Sequence, residues 1–311
     1  MKGGKVLRNL ILIFAMILCL SNCADYMLYV SPGNFYQTGI LPVEVISIPD
    51  TIAPVEMDIY SPTWSARYPV VVFQHGFGGS IKTYETIAEH LASHGFIVVL
   101  PQMYGPGFQD APTASEEAII GLDVLSWIED NLNDFIPVHA DTTLLGLTGH
   151  SRGGQVAYRL ALKLPEKVKG LAGVDPVDAT EMSNDTKIVT GPLTFDIPTY
   201  ILGAGLGPIP VEAGLFKIPC APEESGYNHF FENNPSPSWL VVATTHGHAD
   251  MIDEDDYEEF CPGGPNRDGM RALTAGTLAA FFSGILQNNK RALRVLSDTE
   301  GAPVPIEVED R

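Results

Sequence analysis

The chain has 311 residues, of which 45% are hydrophobic and 18% are charged. It is too long and too apolar to be a disordered tail or a minimal binding module, and it can bury a sizeable core. Its 18 Lys and Arg stand against 38 Asp and Glu, a formal net charge of −20. This acidic balance argues against a nucleic-acid partner, because phosphate backbones attract basic proteins.

The first 23 residues differ from the rest. Basic residues at positions 2, 5 and 8 precede an apolar run over residues 10–20. This order predicts a secretory signal peptide over residues 1–23 and a secreted or cell-envelope location. An uncleaved membrane anchor is the alternative, but the apolar run is shorter than the roughly 20 residues that span a bilayer.

The apolar run ends in Leu20-Ser21-Asn22-Cys23. This segment resembles a bacterial lipoprotein box, although Asn22 stands where Gly or Ala is expected. Lipidation of Cys23, and with it membrane attachment, therefore stays open at the sequence level.

From residue 69 onwards, short β-branched runs alternate with longer amphipathic stretches. This order predicts a mostly parallel sheet with crossover helices, and one or two antiparallel strands are expected within residues 24–68. We expect one domain over residues 24–311, with a core over about 40–295 and an acidic C-terminal tail. Strands are predicted at residues 69–74, 95–101, 143–148, 168–174, 198–202 and 238–243. Helices are predicted at residues 115–132, 155–164 and 269–287.

The sequence also predicts one helix cap and two long loops. Ser115 is the expected N-cap of the first long helix. The stretches 178–198 and 203–237 are predicted to be long loops. Long loops in compact domains are often functional, so these two are the expected wall of the substrate site.

The motif Gly149-His150-Ser151-Arg152-Gly153 lies between a predicted strand and a predicted helix. Gly-x-Ser-x-Gly in this context is typical of a nucleophile elbow, a turn that projects the serine hydroxyl above the sheet. The glycines leave room for the strand and the helix to approach each other. Ser151 is therefore the predicted nucleophile, and an ordinary helix-opening turn is the alternative.

A serine hydroxyl needs a histidine to take its proton and a carboxylate to orient that histidine. The strand 238–243 runs into Thr244-Thr245-His246-Gly247-His248. We predict His248 as the base, with His246 as the alternative. Whichever of the two is not the base is expected to be a solvated loop residue.

The acid is expected between the serine and the histidine in the chain. In many hydrolases of this architecture it follows the strand that is here 198–202, but Gly203-Ala204-Gly205 contains no carboxylate. The preceding strand ends in Asp175-Pro176-Val177-Asp178. Asp175 is therefore the predicted acid, Asp178 is the alternative, and a turn-capping role for Asp175 stays open.

The negative oxygen formed on attack needs two backbone N–H donors. One is expected from Arg152, directly after the serine, and the other from Phe77, in the glycine-rich loop after the first parallel strand. His75 in the same loop is expected to hydrogen-bond neighbouring backbone and shape the turn rather than take part in the chemistry.

No sequence pattern indicates a cofactor or a metal. The acidic segment 253–259 has oxygen ligands that suit calcium, but a solvated acidic loop is the simpler interpretation. Of the four cysteines, Cys19 and Cys23 belong to the predicted signal peptide. The other two, Cys220 and Cys261, are predicted to form a disulfide in an oxidising compartment, and two separate thiols are the alternative.

Besides the elbow motif within residues 149–154, a series of segments lies in order along residues 40–295: residues 92–99, 101–104, 174–178, 203–208, 220–222, 228–231 and 247–251. Together they resemble the chlorophyllase family, serine esterases of the α/β-hydrolase fold that remove phytyl alcohol from chlorophyll. The resemblance implies that fold, and it implies that Ser151, Asp175 and His248 match the family's triad positions. A more distant similarity connects the chain with secreted cutinase-like polyester hydrolases and platelet-activating-factor acetylhydrolases.

The predicted function is therefore hydrolysis of a carboxylic ester, with a hydrophobic ester as partner and no cofactor. The phytyl ester of chlorophyll is the substrate that the resemblance implies, and a generic lipid ester or polyester is the alternative. A peptidase using the same residues, and an envelope binding protein that has lost catalysis, also remain open.

Overall fold

The computed structural model describes residues 34–107, 111–179, 185–213, 216–253 and 261–311, with side chains described outside 212–218. The predicted signal peptide and Cys23 lie outside the described residues, as do residues 254–260, which include most of the acidic segment.

Eleven strands occur in the described part of the chain. In chain order they are β1 (Val43–Ile48), β2 (Met57–Pro62), β3 (Arg67–Gln74), β4 (Ile97–Pro101), β5 (His139–Gly149), β6 (Val168–Val174), β7 (Thr199–Ala204), β8 (Val211–Ala213), β9 (Phe216–Ile218), β10 (Ser238–Ala243) and β11 (Ile306–Asp310). β8 and β9 form a separate hairpin. The other nine form one sheet in the order β1-β2-β4-β3-β5-β6-β7-β10-β11.

The centre of this sheet is parallel. β4, β3, β5, β6, β7 and β10 run in one direction, while β1 and β2 pair antiparallel to each other and β2 pairs antiparallel to β4. The structure thus confirms the predicted parallel sheet and the predicted antiparallel strands before it. The carboxyl ends of the parallel strands meet at one edge, where ligands bind in open α/β sheets.

Helices cover both faces of the sheet. They are α1 (Glu85–Ser93), α2 (Ala114–Asn131), α3 (Arg152–Lys163), α4 (Tyr227–Asn233) and α5 (Arg267–Leu286). One buried apolar cluster contains residues of α1 and α5, and the other contains residues of α2, α3 and α4. Successive residues of β3 alternate between the clusters, with Val71 in one and Val72 in the other. This is why the parallel strands are near-continuous apolar runs.

Within the described residues, α5 is the one helix long and apolar enough to cross a membrane. Most of it is buried inside the fold, with 83% of the apolar window covered. It packs against α1 and the centre of the sheet, so its apolar residues form part of the protein core.

Three sequence expectations about the elements are wrong. The N-cap of α2 is Thr113 rather than Ser115, and it forms a capping box with Glu116. Residues 306–310 are not a free acidic tail, because they form edge strand β11, antiparallel to β10. The predicted loop 203–237 contains the hairpin β8–β9 and the helix α4. Helix α1 was not predicted.

Candidate active site

Ser151 lies at the sharp turn between β5 and α3. Its φ of 55° and ψ of −125° fall outside the regions that non-glycine residues favour. The Ser151 N–H donates to the carbonyl of Val174 over 3.0 Å, and the His150 N–H donates to the carbonyl of Gln74 over 3.1 Å. Hydrogen bonds to the ends of β6 and β3 therefore hold the strained turn at the carboxyl edge of the sheet.

The glycines that flank the serine permit this close approach. A Cβ added to Gly153 would lie 2.3 Å from the carbonyl oxygen of Gln74, and a Cβ added to Gly149 would lie 2.4 Å from the carbonyl oxygen of Gly153. Both distances are far below van der Waals contact with backbone atoms. The turn therefore needs glycine on both sides of Ser151, as the sequence pattern predicted.

His248 and Asp175 are in direct contact. Nδ1 of His248 lies 2.6 Å from Oδ2 of Asp175, and both side chains are buried. A carboxylate can only accept a hydrogen bond, so Nδ1 carries the hydrogen in this contact, and Nε2 is the ring nitrogen left to exchange a proton. This is the tautomer that a base needs in order to accept a proton at Nε2.

The Asp175 carboxylate occupies the place beside the end of β7. Its Oδ1 accepts a hydrogen bond from the Ala204 N–H over 2.9 Å, and its backbone has a positive φ of 38°. A Cβ added to Gly207 would lie 3.1 Å from Oδ2 of Asp175. The glycine-containing turn after β7, which holds no carboxylate of its own, thus leaves room for the acid of the neighbouring strand.

The alternative acid, Asp178, has other partners. Its carboxylate accepts hydrogen bonds from the side chain of Gln155 and from the backbone N–H groups of Ile188 and Val189. These contacts fasten the segment after residue 185 to α3. The structure therefore places Asp178 in a structural position and Asp175 beside His248.

The turn that carries His248 is fixed at both ends. Oδ2 of Asp250 accepts hydrogen bonds from the N–H groups of Gly247 at 2.7 Å and Gly264 at 2.6 Å. A Cβ added to Gly247 would lie 1.6 Å from the carbonyl oxygen of Pro262, so no side chain fits there. Asp250 is a supporting residue that the spacing argument did not identify.

The structure contradicts the expectation that the second histidine, His246, is a solvated loop residue. It is 1% exposed rather than solvated, and its Nε2 lies 3.0 Å from the carbonyl oxygen of Asn266. Asn266 is the N-cap of α5. The turn packs onto the start of this helix, which buries the imidazole of His246 in a structural contact.

The glycine-rich loop after β3 is anchored by side chains. Nδ1 of His75 lies 2.8 Å from the carbonyl oxygen of Gly76, and its Nε2 accepts a hydrogen bond from the Met103 N–H over 3.1 Å. Burial lowers the pKa of His75 to about 4, so the ring is neutral. The Gly78 N–H, at a residue with a φ of 69°, donates to the hydroxyl of Tyr104 over 2.8 Å. His75 thus shapes the turn, as predicted.

Arg152 is predicted to act through its backbone N–H, but its side chain is also engaged. The guanidinium carbon lies 4.4 Å from the centre of the Phe77 ring. The same group is paired with the Glu117 carboxylate, and its Nε lies 3.7 Å from Asp185. Two carboxylates share one cation, and burial raises the pKa of Glu117 to about 7 against the opposing effect of Arg152. No sequence pattern connects these residues.

A cavity of about 430 Å³ lies over these groups. Ser151 and His248 both line it, together with Phe77, Ile252 and the Cys220–Cys261 disulfide. The structure therefore brings the predicted nucleophile and the predicted base to one cavity, and it confirms the predicted disulfide. Much of the wall is apolar, which suits a hydrophobic substrate.

The described residues do not support most of the predicted substrate wall. Of the loops 178–198 and 203–237, Cys220 is the one described residue that lines the cavity. The wall comes instead from residues 76–84 and from residues 248–252 after the histidine. In the described part of the segment 178–198, Asp178 bonds to Gln155 of α3 and to the backbone N–H groups of Ile188 and Val189.

The described residues contain no cluster of three or more His, Cys, Asp or Glu side chains able to hold a metal ion. The candidate calcium segment 253–259 lies mostly outside the described residues, apart from Asp253, whose carboxylate accepts a hydrogen bond from the Thr86 N–H.

Mostly parallel sheets that carry a serine at such a strand-to-helix turn are the framework of the α/β-hydrolases, and the chain has this fold. The comparison with protein families is more specific, because the chlorophyllase family profile matches residues 31–311. The chain therefore belongs to the chlorophyllase family, as its motifs indicated.

Individual relatives agree with this assignment. Chlorophyllase-2 of Arabidopsis thaliana is 31% identical over 277 residues, which cover 83% of this chain and 86% of the relative. Chlorophyllase-1, chloroplastic, of Citrus unshiu is 31% identical over 292 residues, 88% of this chain and 86% of the relative. Cutinase 1 of Thermobifida cellulosilytica is 26% identical over 231 residues, 68% of this chain and 79% of the relative. The protein is accordingly a serine ester hydrolase that acts on carboxylic esters.

Proposed function

We propose that Ser151, His248 and Asp175 form the catalytic triad of this ester hydrolase. The observation that carries the proposal is the 2.6 Å contact between Asp175 and the Nδ1 atom of His248, in a histidine that lines the same cavity as Ser151. Asp175 holds the ring in the tautomer with a free Nε2 lone pair and stabilises the imidazolium that forms when His248 accepts a proton.

The reaction then proceeds in two halves. The Ser151 Oγ attacks the ester carbonyl carbon while its proton passes to Nε2 of His248, and the resulting imidazolium returns that proton to the departing alcohol oxygen. An acyl group remains on Ser151. His248 next takes a proton from water, the hydroxide attacks the acyl carbon, and the proton returns to Oγ as the free acid leaves.

The backbone N–H groups of Phe77 and Arg152 are the proposed donors to the negative oxygen. Arg152 is the first residue of α3, where N–H groups have no partner within the helix and the helix dipole favours negative charge. Phe77 belongs to the loop that His75 and Tyr104 anchor, and it lines the cavity with Ser151. Loss of one such donor typically costs about 3 kcal/mol of transition-state stabilisation.

For the substrate, we propose the phytyl ester of chlorophyll or a close analogue. Membership of the chlorophyllase family and the apolar wall of the cavity support this choice. The similarity to a cutinase favours a second candidate, an ester of the polyester type. Both candidates are hydrophobic esters that the same triad would hydrolyse.

The experiment compares purified full-length protein with its Ser151→Ala variant on chlorophyll a and on p-nitrophenyl butyrate. We expect the wild type to form chlorophyllide, followed by chromatography, and the variant to form none. Hydrolysis of p-nitrophenyl butyrate and of a soluble polyester without chlorophyllide would reject chlorophyll and favour the second candidate. Full activity of Ser151→Ala on every ester would reject the triad.

We further propose that the chain is exported from the cytosol. The basic and then apolar N-terminus supports export, and so does the Cys220–Cys261 disulfide, because disulfides persist in oxidising compartments. Mass spectrometry of the protein from its own cells tests this. A mature N-terminus near residue 24 is expected, a lipid on Cys23 would show membrane attachment, and an intact residue 1 would contradict export.

A further inference from the structure

A short chain of buried hydrogen bonds connects the three loops of the site. The Gly76 N–H donates to the Tyr84 hydroxyl over 3.0 Å, and this hydroxyl lies 2.9 Å from Nδ1 of His150. On the other side of the ring, Nε2 of His150 lies 2.9 Å from the backbone carbonyl oxygen of His248. The loop of Phe77, the serine turn and the histidine turn thus meet through one tyrosine and one imidazole.

The direction of each hydrogen bond follows from the chemistry of its partners. The carbonyl oxygen of His248 can only accept, so Nε2 of His150 carries the hydrogen. Burial first, and then the nearby His248, lowers the pKa of His150 well below its usual range, so the ring holds one hydrogen only. Nδ1 is then an acceptor, and the Tyr84 hydroxyl must donate to it.

Rigid packing holds both side chains in place. Tyr84 is 2% exposed, and its ring lies 4.9 Å from the ring of Phe73 on β3. The His150 ring lies against the His248 ring in a tilted arrangement, with 4.6 Å between their centres and 36° between their planes. His150 therefore contacts both the backbone and the imidazole of the residue that must gain a proton during the reaction.

We propose that Tyr84 and His150 are positioning residues, which hold the turn of His248 against the serine turn and keep the neighbouring imidazole uncharged while His248 becomes an imidazolium. This inference rests on the proposed triad. Two imidazolium rings this close would repel each other. The Tyr84 hydroxyl disfavours a second imidazolium because it donates its hydrogen to Nδ1 of His150. A hydroxyl in this orientation does not offer Nδ1 the acceptor that would favour protonation of His150.

The groups around His150 leave it no role as a second base. Tyr84 lies on its Nδ1 side, and His248, itself bonded to Asp175, lies on its Nε2 side. Both ring nitrogens are therefore engaged in the positioning contacts. The carboxylate that could orient a base, that of Asp175, contacts His248 and not His150.

The first test is Tyr84→Phe, which removes the hydroxyl and keeps the ring. We expect kcat for p-nitrophenyl butyrate to fall about 10-fold, the effect of two lost hydrogen bonds of ordinary strength, with KM within about 2-fold. Tyr68→Phe is the matched control. Its buried hydroxyl donates to the Trp64 carbonyl near the amino end of β3, away from the site, so its kcat should equal that of the wild type.

The second test separates the hydrogen bond from packing. In His150→Gln the side-chain amide can still donate to the His248 carbonyl, whereas His150→Leu fills similar space without a donor. We expect the glutamine variant to keep at least about 5-fold more kcat than the leucine variant. Equal kcat values for the two, in variants with equal melting temperatures, would overturn the proposal.

A direct readout is the tautomer of His150, measured by nitrogen NMR of histidine-labelled protein and assigned with His150→Gln. The proposal predicts a neutral ring with hydrogen on Nε2 in the wild type at pH 7, and an altered signal in Tyr84→Phe. A wild-type kcat in Tyr84→Phe with an unchanged tautomer would overturn it. If Ser151→Ala keeps full activity, the triad itself fails, which is a different outcome.

Discussion

Asp175 and His248 are 73 residues apart in the chain, yet Oδ2 of one lies 2.6 Å from Nδ1 of the other. The contact joins the end of β6 to the turn after β10, across the end of β7. The turn after β7 has glycine at position 207, where an added Cβ would lie 3.1 Å from the carboxylate, so this turn crowds the contact little. The position of the acid is thus a property of two neighbouring strand ends rather than of one motif.

Asp175→Asn tests this contact. The asparagine oxygen can still accept from Ala204, but its NH₂ would face His248 and favour the wrong tautomer. We expect kcat on p-nitrophenyl butyrate to fall about 10⁴-fold with little change in KM. Asp178→Asn is the matched control and should stay within about 3-fold of wild-type kcat. A large loss in the control and none in Asp175→Asn would reverse the assignment.

His248→Gln and His246→Gln form a second matched pair. Glutamine in place of His248 cannot act as a base, so kcat should fall at least about 10³-fold. Glutamine in place of His246 can still donate to the Asn266 carbonyl, so this variant should keep most of its activity. The prediction fails if the His246 variant is the inactive one. Steady-state kinetics at pH 8 decide between them.

Glu117 should make stability depend on pH. Its pKa is raised from 4.5 to about 7 in the folded protein, chiefly by burial, so the folded state holds this proton longer than the unfolded state. The resulting stabilisation is present at low pH and is lost as pH rises from about 4.5 through 7. Relative to Glu117→Gln, the wild type should therefore lose on the order of 1–3 kcal/mol of unfolding free energy between pH 4.5 and pH 8.

Urea unfolding at several pH values measures this difference. Because both proteins share every other titrating group, their difference isolates Glu117. A wild-type unfolding free energy that rises with pH relative to the variant would contradict the raised pKa. A parallel pair of curves would show that Arg152 compensates the charge of Glu117 completely.

The Cys220–Cys261 disulfide should stabilise the fold and shape the cavity. It closes a segment with a sequence separation of 41, for which the chain-entropy estimate is about 4 kcal/mol. The double variant Cys220→Ala/Cys261→Ala should lose unfolding free energy of that order. Since the disulfide lines the cavity, KM should also rise more than kcat falls. Wild type reduced with dithiothreitol should behave alike, and unchanged stability in both would contradict the prediction.

The residues at strand ends were predictable because they depend on local pattern. Flanking glycines between a predicted strand and a predicted helix indicate Ser151. Asp175 is indicated by its position directly after an apolar strand. β11 is a weaker case: residues 306–309 alternate apolar and acidic side chains, but the run is short and mostly exposed, and it becomes a strand through its pairing with β10. Thr113, by contrast, had a readable signal in Glu116 three residues later, which the choice of Ser115 overlooked.

The supporting residues of the site escaped prediction for a different reason. Glu117 and Asp185 meet Arg152 only after α2 and α3 pack on the same face of the sheet. Tyr84 reaches His150 from a separate segment, 66 residues earlier in the chain. Such contacts are set by tertiary packing, and no spacing rule encodes them.

The most direct test of the account is to locate the activated serine. Wild-type protein is treated with a fluorophosphonate, and the modified peptide is identified by mass spectrometry, with Ser151→Ala and Asp175→Asn treated in parallel. The proposed triad predicts one adduct on Ser151, none in Ser151→Ala, and much slower labelling in Asp175→Asn, each in step with ester hydrolysis. An adduct on another serine, or undiminished hydrolysis by Ser151→Ala, would contradict it.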